Sequence, residues 1–600
     1  MVCYKIQKIM KNYSRPLLLS CALFFFVLGA SAATLSVTPS ITSNTYSGVI
    51  TLNVTGLTNG EPVEIQKYLD RNGNGIVDSS EPLVDAFKVT DGGASVIGGI
   101  TNLNVPFDSN PSPGTITTTH SFIPAQIVDT FVASYIYRAV SPSGRFTPVQ
   151  TTLTVTNTAF AQYLSGTVFS NGVPFPNAVV VAQDQQINNP VAGTVTDSAG
   201  RYYLPVRPGS YALLAAVPNF YFDQSLAPSV NLTNGMSATN NLFLTNGTVT
   251  ISGSIYDSVT SNKLDGAFLQ LQSGNLFAIV FTDANGDYSA AVSPGFWKIQ
   301  PGKERYARRG YVISQDKLQV DTTTGSVANV NIAVLPGNAL FYGRVTDNSN
   351  IPLANVELDC GTGNTYGCKG YSDLNGYYTA AVLGDITNQW NCSPDNGRDL
   401  LVGNYIFNSF NTTNVYPSQI ILQNFVALPA AARIFGSVHD NSGNPVTGVT
   451  LTANAVIGGN NYHALDSTTD NSGNYSLAVA SGFWEVEFLN GGGSEDNLDA
   501  HGYVDLTAPH YVSIPPTNVL LNLTVYPIGT PAIWGGRRIS STQFSFSVSG
   551  ATNVSYTIQT STNLASNWNT LFSFLLTTNP FPIVDPYATN SPRFYRVKKN

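Results

Sequence analysis

Charged side chains are scarce in this 600-residue chain. Asp, Glu, Lys and Arg make up 11% of its residues, against about 25% in ordinary soluble domains. Helices favour Ala, Leu, Glu and Lys, whereas the Thr, Val and Tyr that are plentiful here favour strands. The sequence therefore predicts a chain rich in β-structure. The formal charge of −8 leaves no basic patch to neutralise phosphates, which excludes nucleic acid as a partner.

Residues that carry common catalytic chemistry are also few. There are five histidines, none in an HExxH motif, and the chain has no GxSxG turn or phosphate-binding glycine loop. One polar cluster remains, between residues 463 and 510, and we interpret it as a solvated loop, with a metal site as the alternative. Its members are His463, His501, His510, Glu495, Asp496 and Asp499. We therefore expect no enzymatic activity.

Apolar runs long enough to span a membrane are absent after the first thirty residues. Those first residues combine several basic side chains, the run PLLLSCALFFFVLGA and the small residues 30–32, which is the order of a secretory signal peptide. Cys21 lies inside the apolar run, so we interpret it as part of an export signal and not as a lipidated cysteine. With residues 1–32 removed, we expect a secreted or cell-surface protein without a membrane span.

Cysteine is rare in the remaining chain. Cys360, Cys368 and Cys392 lie close together in sequence, and an oxidising compartment permits one disulfide among them. The short segment CGTGNTYGC can close a hairpin between Cys360 and Cys368, but the pairing stays open. One thiol is left over in any case.

A repeat of about ninety residues occupies the middle of the chain. Each copy opens with a strand that contains a glycine, and the glycines are spaced by 87, 90 and 93 residues. They are Gly166, Gly253, Gly343 and Gly436. Periods of this size, each with several alternating apolar strands, predict a repeated small β-sandwich.

Two further features recur in these copies. The segments TDSAGRYY, TDANGDYS, SDLNGYYT and TDNSGNYS place an Asp three residues before a Gly, which predicts a type I turn. The strands RPGSYALLA, SPGFWKIQP and ASGFWEVEF put Tyr211, Trp297 and Trp484 at equivalent positions. We expect these aromatic residues to anchor the cores.

The four copies resemble carboxypeptidase regulatory-like domains, the transthyretin-like sandwich also found in Cna-B surface modules and related to starch-binding-like folds. The resemblance covers residues 161–247, 248–337, 338–430 and 431–529. It implies a Greek-key sandwich used as a stalk, spacer or accessory module, sometimes binding carbohydrate, and it does not imply catalysis. Cna-B modules are often crosslinked by Lys–Asn bonds, but the first and last copies contain no lysine and cannot form one.

The flanking segments predict two more β-domains. Residues 33–160 alternate apolar and polar side chains, as an immunoglobulin-like sandwich would. Residues 530–600 resemble a fibronectin-III-like C-terminal module of secreted bacterial proteins. The residues that carry this second resemblance are Tyr556, Ile558, Trp568, Phe594, Tyr595 and Val597. The expected fold is an all-β, multidomain string of sandwiches.

The stretch DRNGNGIVDSSE, residues 70–81, matches the twelve-residue calcium loop of the EF-hand type. The expected ligands are Asp70, Asn72, Asn74, Ile76 through its carbonyl, Asp78 and Glu81. Proline on both flanks and the alternating pattern predict strands around the loop instead of helices. We expect one weak Ca²⁺ site that braces its domain, and a metal-free turn is the alternative.

These features predict a secreted or cell-surface protein that acts as a structural or adhesive scaffold. The alternative is a carbohydrate-binding accessory protein, in which exposed aromatic residues such as Trp390 or Trp534 stack on sugar rings. The expected partner is an extracellular polysaccharide or a surface protein.

Overall fold

A computed structural model describes residues 32–79, 81–122, 130–185, 189–363, 365–394, 405–410, 412–489, 498–565, 567–578, 580–589 and 592–600. The segment interpreted as a signal peptide lies outside these ranges except for its last residue. The described residues form many strands and two short helical turns, which confirms the all-β, multidomain prediction. They include no helix with the length and apolar character that a bilayer crossing needs.

The N-terminal domain is a two-layer sandwich. One sheet has the order β1-β3-β8, the other has the order β2-β10-β9-β4-β5, and β6 and β7 form a small hairpin. The strands are β1 (Thr34–Thr38), β2 (Ile41–Ser43), β3 (Val49–Thr55), β4 (Pro62–Asp70), β5 (Leu83–Thr90), β6 (Val96–Ile97), β7 (Ile100–Thr101), β8 (Thr115–Ser121), β9 (Ala133–Val140) and β10 (Val149–Thr156).

The first two repeats contain the following elements. Those of repeat one are β11 (Tyr163–Ser170), β12 (Val173–Pro174), β13 (Val179–Asp184), β14 (Asn189–Val195), β15 (Arg201–Pro205), β16 (Gly209–Ala216), β17 (Phe220–Asp223), a 3-10 turn (Gln224–Leu226), β18 (Ser229–Leu232), β19 (Ser237–Thr239) and β20 (Leu242–Asn246). Those of repeat two are β21 (Val249–Asp257), β22 (Phe268–Ser273), β23 (Leu276–Phe281), β24 (Asp287–Val292), β25 (Phe296–Pro301), α1 (Lys303–Ala307), β26 (Tyr311–Ser314), β27 (Leu318–Asp321) and β28 (Ile332–Pro336).

The last two repeats and the C-terminal domain follow. Repeat three has β29 (Ala339–Asp347), β30 (Glu357–Gly361), β31 (Tyr366–Tyr371), β32 (Tyr377–Val382), β33 (Asp385–Pro394), β34 (Tyr405–Phe407), β35 (Thr413–Val415), β36 (Ile420–Leu422) and β37 (Phe425–Pro429). Repeat four has β38 (Ala432–Asp440), β39 (Thr450–Ile457), β40 (Asn460–His463), β41 (Ser467–Thr468), β42 (Asn474–Val479), β43 (Gly482–Phe488), β44 (Tyr503–Val504), β45 (His510–Ile514), β46 (Val519–Leu520) and β47 (Leu523–Pro527). The C-terminal domain has β48 (Ala532–Arg538), β49 (Phe544–Ser549), β50 (Ser555–Ser561), β51 (Asn569–Leu575), β52 (Phe581–Asp585) and β53 (Phe594–Lys599).

The four repeats share one strand order. In repeat four, one sheet runs β42-β38-β47-β44 and the other runs β40-β39-β43-β45. Repeat three has the equivalent sheets β32-β29-β37-β34 and β31-β30-β33-β35. The aromatic residues predicted to anchor the cores, Tyr211, Trp297 and Trp484, are buried between the sheets. The C-terminal domain differs, because it consists of two three-stranded sheets, β48-β49-β52 and β51-β50-β53.

The recurring glycine belongs to a unit of three groups, which we call the Gly–Tyr–carbonyl unit. The glycine of the opening strand is the cross-strand partner of a tyrosine, whose hydroxyl donates to a backbone carbonyl at 2.7–2.8 Å. A Cβ on the glycine would lie 1.8–2.0 Å from that same carbonyl oxygen. The four units are Gly166/Tyr202/Asn240, Gly253/Tyr288/Val330, Gly343/Tyr378/Gln423 and Gly436/Tyr475/Leu521.

The repeated aspartates make turns, as their spacing predicted. Asp197 Oδ1 accepts hydrogen bonds from the backbone N–H groups of Ala199 and Arg201, both at 2.9 Å. Gly200 follows with φ +73°, and its N–H donates to the Asp197 carbonyl. Equivalent hydrogen bonds surround Asp283, Asp373 and Asp470. These carboxylates hold the backbone of a hairpin, which confirms the turn interpretation.

Backbone pairing joins each domain to the next as far as repeat four. Strand β17 of repeat one pairs with β23 of repeat two, and β26 of repeat two pairs with β31 of repeat three. Single bridges, Val132↔Thr194 and Asn408↔Tyr462, join the N-terminal domain to repeat one and repeat three to repeat four. No strand pairing between repeat four and the C-terminal domain occurs among the described residues.

The N-terminal domain also contacts repeats two and three through side chains. The Arg305 guanidinium of α1 donates to the Val84 carbonyl at 2.5 Å, and Arg308 Nη1 lies 2.8 Å from His120 Nε2. The Asn104 amide donates to the Lys369 carbonyl of repeat three at 2.8 Å. The domains therefore pack against one another beyond their nearest neighbours in sequence.

The cysteines lie on three adjacent strands of repeat three. Cys360 faces Cys368 on one side and Cys392 on the other. The disulfide joins Cys360 to Cys392, and Cys368 is a buried free thiol. The single disulfide and the one remaining thiol agree with the prediction from the sequence. The hairpin pairing of Cys360 with Cys368 is not formed, because β33 places Cys392 beside Cys360.

Candidate functional site

The predicted calcium loop connects two neighbouring antiparallel strands. Strand β4 ends at Asp70, and β5 begins two residues after Glu81. The flanking elements are strands, as predicted. Gly73 and Gly75 both have φ +71°, a conformation that side chains with a Cβ rarely adopt. These two glycines let the chain turn tightly around Asp70.

Asp70 organises the first half of the loop. Its Oδ1 accepts from the N–H groups of Gly73 and Asn74 at 2.7 and 3.1 Å, and its Oδ2 accepts from Gly75 N–H at 3.0 Å. Asn72 Oδ1 accepts from Asn74 N–H, and Asn74 Oδ1 accepts from Ile76 N–H. The Asn72 amide donates to Asp78 Oδ2 at 2.6 Å.

Glu81 closes the loop from the other end. Its side chain is buried, with 6% of the residue exposed, and Oε1 has no hydrogen-bond partner. Oε2 accepts from Asp78 N–H at 3.2 Å. Burial, followed by the nearby Asp78 and Asp70 carboxylates, raises the pKa of Glu81 to about 7. Burial without a hydrogen-bond partner, beside two further acids, disfavours the charged form of this carboxyl group.

The loop lies where three domains meet. Arg71 Nη2 donates to the Asn177 carbonyl of repeat one at 3.1 Å. Leu69, Arg71 and Pro82, at the two ends of the loop, line a small hollow that is closed by residues of repeats one and two. These residues are Asn177, Val179, Ala216, Val217, Pro218, Ile279 and Phe281. The two ends of the loop are therefore in direct contact with repeats one and two.

The predicted metal ligands do not form a group of three or more converging His, Cys, Asp or Glu side chains; the described residues contain no such group anywhere. In the polar cluster of repeat four, His463 contacts Asp466 at 3.3 Å and His510 contacts Asp505 at 2.6 Å. Glu495 and Asp496 lie outside the described residues. His463 and His510 therefore sit in separate pairs with acids.

The structure contradicts one of the two predicted sugar-stacking residues. Trp390 is fully buried in repeat three, and its indole N–H donates to the Leu383 carbonyl at 2.8 Å. Trp390 belongs to the hydrophobic core of repeat three, because its side chain points from β33 into the space between the two sheets. Trp534 in β48 is exposed, as predicted.

An aromatic pair on repeat four was not recognised in the sequence. Phe483 and Tyr511 project from neighbouring strands β43 and β45 with 60% and 55% of each residue exposed. Their rings are 5.4 Å apart between centroids and 14° from parallel. They line a cleft of about 600 Å³. The alternation in GFWEVEF was the available signal, since an inward Trp484 requires an outward Phe483.

Comparison with known proteins identifies a family for one repeat. Residues 163–245 match the carboxypeptidase regulatory-like domain. No curated protein matches the sequence. Tandem β-sandwich domains of this kind are thereby confirmed, and repeats two to four share the strand order and the Gly–Tyr–carbonyl unit of the matched segment. The fibronectin-III-like assignment of the C-terminal domain stays a prediction.

Solved structures with similar segments include the following three proteins. The TIE protein of Bacillus anthracis is 10% identical over 83% of this chain and 76% of that one, with a TM-score of 0.15. A streptococcal ancillary pilin is 12% identical over 46% and 98%, with a TM-score of 0.16. BcpA, the major pilin subunit of Bacillus cereus, is 11% identical over 46% and 99%, with a TM-score of 0.14.

Proposed function

We propose that this protein is an extracellular or cell-surface scaffold without enzymatic activity. The observation that carries the proposal is the backbone pairing between successive domains, from the N-terminal domain to repeat four. Domains joined only by linkers move independently, whereas hydrogen bonds between edge strands fix both distance and orientation. A chain built in this way transmits force and sets the reach of whatever it carries.

Limited proteolysis of the mature chain, read by mass spectrometry, tests the scaffold. We expect the first cut between β47 and β48, because no strand pairing crosses that boundary in the described part of the chain. The core formed by the first five domains should persist as one large fragment. First cuts at the boundaries near residues 248, 338 or 431 would contradict a stiff unit.

We further propose that the loop of residues 70–81 binds one Ca²⁺ and braces the N-terminal domain. The ligands would be Asp70, Asn72, Asn74, the Ile76 carbonyl, Asp78 and Glu81, a set of hard oxygen donors that suits this cation. The buried and unpartnered Glu81 Oε1 supports the proposal. Amide and carbonyl ligands lower the charge of the site, so we expect an affinity of about 0.1 to 1 mM.

Calorimetric titration and thermal unfolding of the full mature chain test this site. At about 10 mM Ca²⁺, such an affinity stabilises the folded state by about 1.4 to 2.7 kcal/mol. The double variant Asp70→Ala, Glu81→Ala should lose both the binding heat and the stabilisation. Asp283→Ala is the matched control, because Asp283 also caps a turn but lies outside the loop. A parent protein with no binding heat would refute the calcium brace.

Carbohydrate binding is the second candidate function. The observation that favours it is the exposed pair Phe483 and Tyr511 beside polar side chains on repeat four.

A further inference from the structure

The cleft on repeat four lies on the outward face of the sheet β40-β39-β43-β45. Along β43, Trp484, Val486 and Phe488 point into the core, so Phe483 and Glu485 point outward. Tyr511 on β45 is the direct cross-strand partner of Glu485 and the diagonal neighbour of Phe483. The alternation of β43 and its register with β45 therefore place an aromatic pair and a carboxylate on one surface.

The aromatic pair presents apolar surface to solvent. Both rings are more than half exposed and lie nearly parallel. Val456 on β39, also exposed, lines the same cleft. Contiguous exposed apolar surface that is rimmed by polar residues is a feature of ligand-binding grooves.

The border of the cleft consists of hydrogen-bonding side chains. Asn454, Asn461 and Glu485 belong to repeat four, and Ser409 is contributed by repeat three. His463 also lines it, with Nδ1 2.7 Å from Asn454 Oδ1 and Nε2 3.3 Å from Asp466. Ser409 is held there by its backbone N–H, which donates to the Asn461 carbonyl at 2.9 Å. The cleft is therefore built by the junction of two repeats.

The charge of the cleft limits the ligands that it can accept. Glu485 lies in the lining and Asp466 beside it, and the described residues of the lining include no Lys or Arg. An anionic ligand such as a uronate, sulfate or phosphate would be repelled and would find no guanidinium or ammonium partner. A neutral ligand with hydroxyl groups can donate to Glu485 and exchange hydrogen bonds with the Asn454 and Asn461 amides.

We propose that this cleft binds a neutral saccharide, with the Phe483 and Tyr511 rings against the apolar C–H surface of the sugar and the polar border against its hydroxyls. The proposal rests on the second candidate function and gives it a site. A volume of about 600 Å³ lies within the range of small-ligand sites, about 300 to 1,000 Å³. Two aromatic anchors with a few placed polar groups are the usual composition of such sites.

A glycan array with the full mature chain, followed by calorimetric titration with the strongest neutral glycan, tests the proposal. The double variant Phe483→Ala, Tyr511→Ala should weaken binding at least about tenfold, because anchors of this kind carry most of the affinity. Phe296→Ala is the matched control, since Phe296 occupies the equivalent outward position in repeat two and is similarly exposed. The Phe296→Ala variant should bind the glycan with the affinity of the parent protein. Unchanged melting temperatures would show that the variants are folded.

Three outcomes would overturn the proposal. The first is an array without binding to any neutral glycan. The second is binding that the double variant leaves intact, which would place the ligand elsewhere. The third is dimerisation in light scattering that the double variant abolishes, which would make the aromatic pair a contact between two copies of this chain. None of these outcomes changes the results expected from the proteolysis and calcium experiments. The scaffold proposal is therefore tested independently of the saccharide proposal.

Discussion

At the scale of single residues, two acids meet across the boundary between the N-terminal domain and repeat two. Burial, and then the charge of Asp265, raises the pKa of Glu64. Gln66 donates to Glu64 Oε1 at 2.7 Å, and Lys88 lies 3.9 Å from Oε2. Asp265 is itself held by Arg309 at 3.2 Å. The raised pKa means that the folded state binds a proton at Glu64 more tightly than the unfolded chain does.

We therefore predict that Glu64→Gln stabilises the protein at neutral pH. A carboxyl group with a raised folded pKa favours folding below its ordinary pKa, and this contribution is lost as pH rises through the raised value. The substitution removes the charge but keeps an amide of similar shape. Urea unfolding at pH 7 should show a gain on the order of 1 kcal/mol, and the gain should disappear near pH 4.

Glu61→Gln is the opposite control. Burial disfavours the charge of Glu61, but hydrogen bonds from Thr58 and Ser141 outweigh it and lower its pKa. This variant should lose stability at pH 7 and approach the parent as pH falls. Equal behaviour of the two variants would contradict the assigned role of Asp265.

At the scale of elements, the Gly–Tyr–carbonyl unit explains why one glycine recurs in all four repeats. In repeats one, three and four, the opening strand pairs in parallel with two short consecutive strands, and the carbonyl lies in the connection between them. The tyrosine hydroxyl satisfies that carbonyl, and the absent Cβ lets it approach. Burial raises the pKa of Tyr475, so the hydroxyl stays a donor.

Gly436→Ala should destabilise repeat four by about 3 kcal/mol or more, because the new Cβ would meet the Leu521 oxygen at 1.9 Å and the backbone must shift. Ser437→Ala, at the next position of β38, is the control, since its hydroxyl makes one long hydrogen bond at the surface. It should change stability by less than about 0.5 kcal/mol. Chemical unfolding measures both, and similar losses would argue against crowding at Gly436.

The sequence shows that a glycine and a tyrosine recur at a similar spacing in each repeat. It does not show why these residue types are required there. The turn between Asp470 and Gly473 is local, and its residues predict its geometry. The Leu521 carbonyl, by contrast, is more than eighty residues from Gly436 along the chain, and no pattern around either residue indicates their contact. Similarly, the order of carboxylate and amide side chains in residues 70–81 can be read from the sequence, but the burial of Glu81 depends on neighbouring strands.

At the scale of the whole molecule, the N-terminal domain is a shared partner of several repeats. Its core is continuous with apolar residues of repeats one and two, including Val179 and Phe268. The loop of residues 70–81 lies beside this contact, and Arg71 reaches the Asn177 carbonyl. If the loop binds Ca²⁺ as proposed, ordering of the loop will also order Arg71.

We predict that Ca²⁺ protects repeat one as well as the loop from hydrogen exchange, and that Arg71→Ala removes the protection of repeat one alone. Arg71 occupies a position of the loop that supplies no ligand, so the variant should bind Ca²⁺ with the affinity of the parent. Exchange mass spectrometry of peptides around Asn177 and around Asp78 separates the two effects. Retained protection around Asn177 in the variant would place the coupling in another contact.

The sequence by itself determined the β-rich composition, the four repeats, the aspartate turns and the order of oxygen-bearing residues in the loop of residues 70–81. Each of these follows from residues that are close together in the chain. Only the tertiary structure decided that Trp390 is buried, that Cys360 pairs with Cys392, that Phe483 meets Tyr511 at the surface and that the loop lies between three domains. These features depend on which distant strands become neighbours, and packing of whole sheets selects those neighbours.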